Sequence, residues 1–451
     1  MSRPLPSRTT ILIVGAGPVG ISLAIALSKQ GVNDFIIVDK LEHTANTSRA
    51  FSIHAATMEA LDTIGVADTL VIRCTAAHCT HLCSRSGATL FTIDFYDALQ
   101  KCSKFPYSYI VPQNITEEVL TRRLNELGVE VWRGEKYRVV GMKGTKGSED
   151  TATVEFSGGE TVEAKYIIGA DGARSVIRQI SGISFNDPRP SKSSSQMIVA
   201  DVHFAQPLPS LLPPCHENEM CLIPSATGFM LFEPFPSEGS DLKGPLIRIA
   251  TAIPPEMGTP PDHPDLEYWQ AAWDKFGPYK ESKIAEIVTS ARFRTHSAVV
   301  DRYFTRFPGD TGKNDDGVRK GAAVFLIGDA AHVHPPAGGQ GLNLGIRDAI
   351  YLAPVLVSHI RSTTDDDTSL LAYANLRRQR ALVVIGLANG MLDSVLLVGD
   401  KIVQMLPDTM GIRRVGEEVQ RGLLEWGLWG LGRLGWVRRK AGYSLSGLGH
   451  R

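Results

Sequence analysis

The chain has 451 residues and a formal net charge of -1, with 47 Lys and Arg against 48 Asp and Glu. That length can bury a substantial core, most simply in two interleaved domains, and the balanced charge leaves no electrostatic footprint for nucleic acid. The six cysteines, Cys74, Cys79, Cys83, Cys102, Cys215 and Cys221, follow no secreted-scaffold spacing, so a reducing, cytoplasmic compartment is the default expectation.

In chain order, Arg3 and Arg8 precede an apolar run that resembles a signal peptide until its glycines are read. Thr10–Val14 is a β-branched strand, followed by Gly15-Ala-Gly17-Pro18-Val19-Gly20 and a helix from Val19 to Gln30. The first glycine suits a tight turn, the second the approach of a pyrophosphate, and the third helix–strand packing. Phe35–Val38 supplies a second strand that ends at Asp39, where a carboxylate binds an adenosine ribose. Together these elements read as a dinucleotide fold. Arg49 stands before a helix carrying Ala56, Met58, Leu61 and Ile64, and His54 reads as structural.

The cluster Cys74, His78, Cys79, His81 and Cys83 has metal-ligand chemistry, but no second cluster completes a four-ligand site. Alternation through a half-buried strand explains it as well, and no metal is expected. Val111 to Leu127 predicts a helix with Thr116, Glu117 and Glu118 in its first turn. Val129–Trp132, Arg138–Met142 and Thr151–Phe156 predict a meander, and a further strand then delivers Asp171-Gly172 to a helix start. From 183 to 300 the chain changes character: proline clusters separate the strand-like runs Met197–Phe204, Gly228–Phe232 and Leu246–Ala252, followed by a Trp-bearing helix at Leu266–Phe276. Met230, Phe232 and Glu233 are candidate substrate contacts, although core packing suits the first two better. Phe307–Gly321 reads as an exposed loop.

Val324–Ile327 then predicts a short buried strand carrying Gly328 and Asp329 at its carboxyl end, where ligands sit in open α/β sheets. Gly338, Gly339 and Gly341 admit a close backbone approach, and Leu342–Leu352 is a helix whose N-terminus faces that ligand. Tyr373 to Arg380 starts a long helix. Leu382–Val398 is interrupted by Asn389, Gly390 and Asp393, which makes it too polar to span a membrane. The tail sets Trp426, Trp429 and Trp436 beside Arg433, Arg438, Arg439 and Lys440. Weak contact with a membrane surface through an interfacial helix and a tail packed on the core both stay open.

These motifs, from Thr10 to about Arg380, resemble those of the FAD-dependent class A aromatic monooxygenases, the group similar to para-hydroxybenzoate hydroxylase. The resemblance implies an α/β fold: a Rossmann-like FAD-binding domain (1–182 and 296–380) interleaved with a β-sheet substrate domain (183–295), then a C-terminal helical region (381–451). It implies that Gly15, Gly17, Pro18, Val19 and Gly20 cradle the FAD pyrophosphate and that Asp39 with Lys40 meets the adenosine ribose, although the family more often has Glu at that point. Gln113 lies by the phosphates, Asp171 near both FAD and the nicotinamide, Asp329 on the ribityl chain, and Arg49 near the swinging flavin. The backbone at Gly341, Leu342 and Asn343 adjoins the isoalloxazine.

The implied activity is monooxygenation: NADPH or NADH, visiting transiently, reduces FAD, and dioxygen reacts to give a flavin hydroperoxide that hydroxylates an electron-rich carbon. The expected substrate is a small aromatic molecule, a phenolic or polyketide-like secondary metabolite. No catalytic side chain is identified, and neither His332 nor His334 is assigned as base or metal ligand. The rivals are a ubiquinone-pathway-type hydroxylase of a prenylated phenol, a flavin halogenase, which lacks its WxWxIP element here, and a non-oxygenating flavin-binding protein.

Overall fold

A computed structural model describes residues 4–43, 52–84, 86–146, 150–188, 196–206, 219–225, 228–235, 245–254, 257–278, 281–294, 297–307, 321–334, 337–362, 366–403 and 427–450. Its first sheet is built on five parallel strands in the spatial order Ala322–Leu326, Thr161–Gly169, Arg8–Val14, Phe35–Asp39, Val131–Arg133. Ile11, Leu12 and Ile13 are successive and all fully buried, as a strand covered on both faces requires. Strand order reverses on either side of Arg8–Val14, so the carboxyl ends on both sides open onto one crevice.

Two local expectations are corrected. Val131–Arg133 leaves the predicted meander and runs parallel to Phe35–Asp39, because the helix Gln113–Glu126 intervenes and serves as a crossover. The meander consists instead of Val139–Gly144, Ala152–Phe156 and Thr161–Gly169. That crossover helix begins at Gln113, so Glu117 and Glu118 fall in its second turn. The predicted loop at Phe307–Gly321 lies largely outside the described residues.

A second sheet has seven strands: Ile284–Arg294, Gln196–Phe204, Ile247–Ile253, Gly228–Pro234, Met220–Ser225, Cys79–Cys83 and Thr89–Asp94. All its pairings are antiparallel except that of Met220–Ser225 with Cys79–Cys83. Alternation divides it into two apolar faces. One, with Ile198, Val202, Met230 and Phe232, packs under the helix Leu266–Phe276 through Trp269 and Trp273. Met230 and Phe232 are therefore core residues. Glu233 is also fully buried and stands opposite Arg248, whose guanidinium holds Asp201 in two hydrogen bonds of 2.7 and 2.8 Å. The opposite face presents Met197, Val199, Phe229 and Leu231, with Leu222 and Phe293 beside them.

Helix Gln340–Arg361 is followed by the long helix Thr368–Val403. Buried charge joins them. Asp348, fully enclosed, receives Arg377 Nε at 2.7 Å on one oxygen, and His332 Nε2 at 2.7 Å and the Gly328 amide at 3.3 Å on the other. Burial alone would raise its carboxyl, but Arg377 and His332 bring it below the ordinary carboxylate range. Tyr373 also donates to the Asp348 carbonyl at 2.5 Å.

The tail docks. Helix Gly435–Leu445 covers the edge strand Thr89–Asp94 so closely that a Cβ on Gly442 would lie 2.1 Å from the Asp94 carbonyl oxygen, removing an edge open to aggregation. Beyond it, the Leu445, Ser446 and Gly447 carbonyls accept from Gln340 Nε2, the Ala56 amide and Arg347 Nη1. The tail thus packs on the protein through Gly442 and 445–448, while Trp429, Leu431, Leu434 and Trp436 are exposed.

Because Arg377 is the positive partner of a buried carboxylate, Arg377→Met leaves Asp348 enclosed with only His332 to balance it. Urea denaturation at pH 7 should show a loss of roughly 3–5 kcal/mol. A change under about 1 kcal/mol would show that the pair is not a structural keystone.

Candidate cofactor site

Four strand ends meet at the crevice: Val14, Asp39, Gly169 and Leu326. The glycine loop between Val14 and helix Pro18–Lys29 shows why each of its glycines is there. Gly15 has φ +107°, and a Cβ on it would stand 2.3 Å from the Ala170 carbonyl oxygen. On Gly20 a Cβ would stand 1.9 Å from the Gly15 carbonyl oxygen. On Gly17, the helix N-cap, it would meet nothing within 4 Å. Two glycines thus permit packing and the third keeps an open space. Helix Pro18–Lys29 has no side-chain cap and starts with Pro18, so its free amides and dipole face that space, where an anionic group is stabilised.

Asp39 braces this loop. Its carboxylate accepts from the Ala16 amide at 2.7 Å and from the Leu41 amide at 2.9 Å, and each oxygen keeps lone-pair capacity for a ribose hydroxyl. Lys40 is exposed beside it. Arg133 donates to the Ala16 carbonyl at 3.2 Å and lines a cleft of about 850 Å³ with Glu42, His43, Asn114, Glu117 and Thr121. Gln113 starts the crossover helix, but its side-chain amide donates to Glu117 at 2.7 Å. Burial raises that glutamate, and the Gln113 hydrogen bond opposes the rise. Arg49 lies outside the described residues.

Asp171 has a local structural task. It accepts from Ser175 Oγ at 2.5 Å and from the Val176 and Ile177 amides at 2.7 and 3.3 Å, capping helix Val176–Ile180. Burial raises its carboxyl and these three donors oppose the rise. Arg178, which sequence reasoning missed, spans two motifs by donating to the Ala173 carbonyl at 2.8 Å and the Ala330 carbonyl at 2.9 Å. Asp329 is exposed on the turn Gly328–Ala330 at the carboxyl end of Ala322–Leu326.

Gly338 and Gly339 are both left-handed, at φ +74° and +63°. They turn the chain into helix Gln340–Arg361, which again has no side-chain cap, so the amides of Gly341 and Leu342 lie in its first turn with no carbonyl below them in the helix, and Asn343 follows directly. The Asn343 side chain is wholly engaged: it accepts from the His54 amide at 2.8 Å and donates to the Ser52 and Gly339 carbonyls at 2.8 and 2.7 Å. His54, buried, bonds the Gly338 carbonyl through Nε2 at 2.7 Å. Burial lowers its pKa to about 4, with Arg347 acting in the same direction, so the ring is neutral and structural, as the sequence reading expects.

The missed network of Asp348, Arg377 and His332 does leave a trace in the sequence, since Arg347 and Asp348 interrupt an otherwise apolar helix, and charges inside a buried helix require partners.

The space at Gly17 supplies a test. Gly17→Ala has ordinary φ and no clash, so apo-protein stability should change by less than about 0.5 kcal/mol, while the dissociation constant for FAD rises at least about tenfold. Denaturation of the apo-protein and flavin-fluorescence titration read the two quantities. Unchanged FAD affinity would remove Gly17 from the site.

Residues 8–387 match the family model described as FAD binding domain. A 12-dehydrotetracycline 5-monooxygenase/anhydrotetracycline 6-monooxygenase of Streptomyces rimosus is 30% identical over 415 residues, 89% of this chain and 73% of that protein. Rifampicin monooxygenase of Rhodococcus hoagii is 29% identical over 359 residues, 78% of this chain and 64% of that protein. Among solved structures, an anhydrotetracycline hydroxylase from Streptomyces rimosus superposes with a TM-score of 0.69 at 26% identity, covering 98% of this chain and 76% of its own. With the strand-end crevice and glycine cradle on one side and these matches on the other, the chain belongs to the FAD-binding-domain family of aromatic monooxygenases similar to para-hydroxybenzoate hydroxylase.

Proposed function

We propose that this FAD-dependent monooxygenase uses NADPH or NADH and dioxygen to hydroxylate an electron-rich ring of a phenolic or polyketide-like aromatic molecule. In this reading the Gly15–Gly20 loop and its helix take the pyrophosphate, Asp39 the ribose and Asp329 the ribityl chain. The backbone at Gly341, Leu342 and Asn343 adjoins the ring system. FAD, reduced by the nicotinamide, supplies activated oxygen when bound. The chain's own residues hold, orient and keep the reacting centre dry, since water in the site promotes side reactions. No side chain is assigned to withdraw a proton from the phenol.

The observation that supports the substrate class is the second apolar face of the seven-stranded sheet. Met197, Val199, Leu222, Phe229, Leu231 and Phe293 form an apolar surface on the side away from helix Leu266–Phe276. The long helix Thr368–Val403 touches both the strands of this sheet and the turn Ala337–Gly339, so the surface and the proposed ring site share one structural wall. An extended aromatic skeleton suits such a surface, and the curated relatives are named for tetracycline and rifampicin substrates. Mixing the reduced holoenzyme with ¹⁸O₂ and a panel of polycyclic phenols should give products heavier by one labelled oxygen and NAD(P)H oxidation that rises with the accepted phenol. Reoxidation without label in any product would favour the non-oxygenating reading.

A second, weaker reading adds surface contact with a membrane through the tail. Trp436 is 60% exposed and Trp429 42%, with Leu431 and Leu434 beside them. The Arg433 guanidinium lies 3.9 Å from the centre of the Trp429 ring. No described helix is long and apolar enough to cross a membrane, so the contact would be interfacial. Sedimentation with anionic vesicles should pull down the wild type and lose at least half of that binding in Trp429→Ser/Trp436→Ser. Equal recovery with and without vesicles would eliminate it.

A further inference from the structure

The strand Cys79–Cys83 separates the histidine–cysteine cluster of the sequence. Cys83 turns inward to Cys221, with the sulfurs 3.0 Å apart. His78 packs between Tyr96 and Tyr107, with ring centres at 5.2 and 4.9 Å. Cys79 and His81, two residues apart, share the remaining side. Sequence reading finds no second cluster to complete a site. The fold supplies one residue from 138 positions away, because Met220–Ser225 pairs in parallel with Cys79–Cys83, Met220 opposite Thr80, and so brings Glu219 alongside.

We propose that Cys79, His81 and Glu219 form a binding site for a zinc-type divalent cation that staples the outer hairpin to the rest of the seven-stranded sheet. Cys79 Sγ and a ligand atom of each of His81 and Glu219 all lie within 4.8 Å of one another. Tetrahedral coordination at bond lengths of about 2.0–2.3 Å needs ligand atoms roughly 3.3–3.7 Å apart, so the cage closes by side-chain movement alone. A thiolate, an imidazole and a carboxylate are a borderline-soft donor set, which suits zinc better than magnesium or calcium.

The surroundings fit a cation. Glu219 Oε2 is 2.6 Å from His81 Nε2, and His81 Nδ1 is 3.1 Å from Thr92 Oγ1. A ring nitrogen held by an outer partner while the other faces the ligands is the arrangement metal-bound histidines adopt. Cys79 feels three carboxylates, Asp94, Glu219 and Asp97, against one guanidinium, Arg438. Burial first, then Asp94 and Glu219, pushes its thiol up to about 12. Without metal the thiol keeps its proton in a net negative site, and binding releases that proton to solvent as the sulfur–metal bond forms. A water molecule completes four-coordination. None of the three ligands is among the residues of the cofactor crevice, and the role proposed for the cation is structural.

The test uses holoenzyme stripped with a chelator and dialysed against zinc. Elemental analysis should find one zinc per chain, and calorimetry a higher Tm with zinc than without. Cys79→Ser and Glu219→Gln should each weaken binding more than ~10-fold and abolish the Tm rise, and Thr92→Val should weaken it ~10-fold while sparing the ligands. His78→Ala and Cys102→Ala should bind as the wild type does. Should a ligand variant fail to fold, cadmium added to the wild type reports thiolate coordination directly through its ultraviolet charge-transfer band. No zinc retained by the wild type, equal retention in the ligand variants, or cadmium bound without that band would each overturn the proposal.

Discussion

Backbone running against backbone is the constraint from which the rest follows. Gly15 lies on the Ala170 carbonyl, Gly20 on the Gly15 carbonyl, and Gly345 within reach of Val19 and the Gly328 Cα. These contacts bring the ends of strands Arg8–Val14, Thr161–Gly169 and Ala322–Leu326 together tightly enough for turns from distant parts of the chain to line one crevice. Side chains at these points would separate the turns by a methyl group's width or more. Arg178, bonded to Ala173 and Ala330 at once, then holds two of the turns in register.

Legibility in the sequence followed the range of the forces. Where a residue type is required by its own backbone, as at Gly15 or Gly339, or by a strand's two-sided burial, as at Ile11 to Ile13, the motif could be read directly and the fold came with it. Carboxylate partners could not. Asp171 accepts from three local donors, Asp39 from two amides with capacity left over, and Gln113 donates to Glu117, and nothing in the spacing of those residues distinguishes a structural hydrogen bond from one made to a ligand. Val131–Arg133 was misplaced for a related reason: a three-residue strand carries too little pattern to name its partner, and only the preceding crossover helix decides it.

The seven-stranded sheet shows how period-two alternation divides labour. Ile198, Met230 and Phe232 go to the Trp269–Trp273 side, and Met197, Val199, Phe229 and Leu231 to the other. A one-residue slip would exchange the two sets. The buried Asp201–Arg248 pair, with Glu233 opposite Arg248, costs desolvation that apolar residues would not. It fixes register, since only one alignment of the strands brings the guanidinium against the carboxylate.

The docking of the tail carries a consequence for biosynthesis. Arg347 sits in the helix that begins at the glycine turn, is fully buried, and has its pKa lowered to about 10, chiefly by burial and then by Arg377. It donates to the Gly447 carbonyl, 100 residues further along. A ribosome adding about 5–20 residues per second leaves that guanidinium without this acceptor for roughly 5–20 seconds. During that interval the turn, the helix and residues 55–56 wait for the same short segment. Maturation of the crevice is therefore a late event in the life of the nascent chain, and a frameshift or early stop in the tail would act on the heart of the molecule.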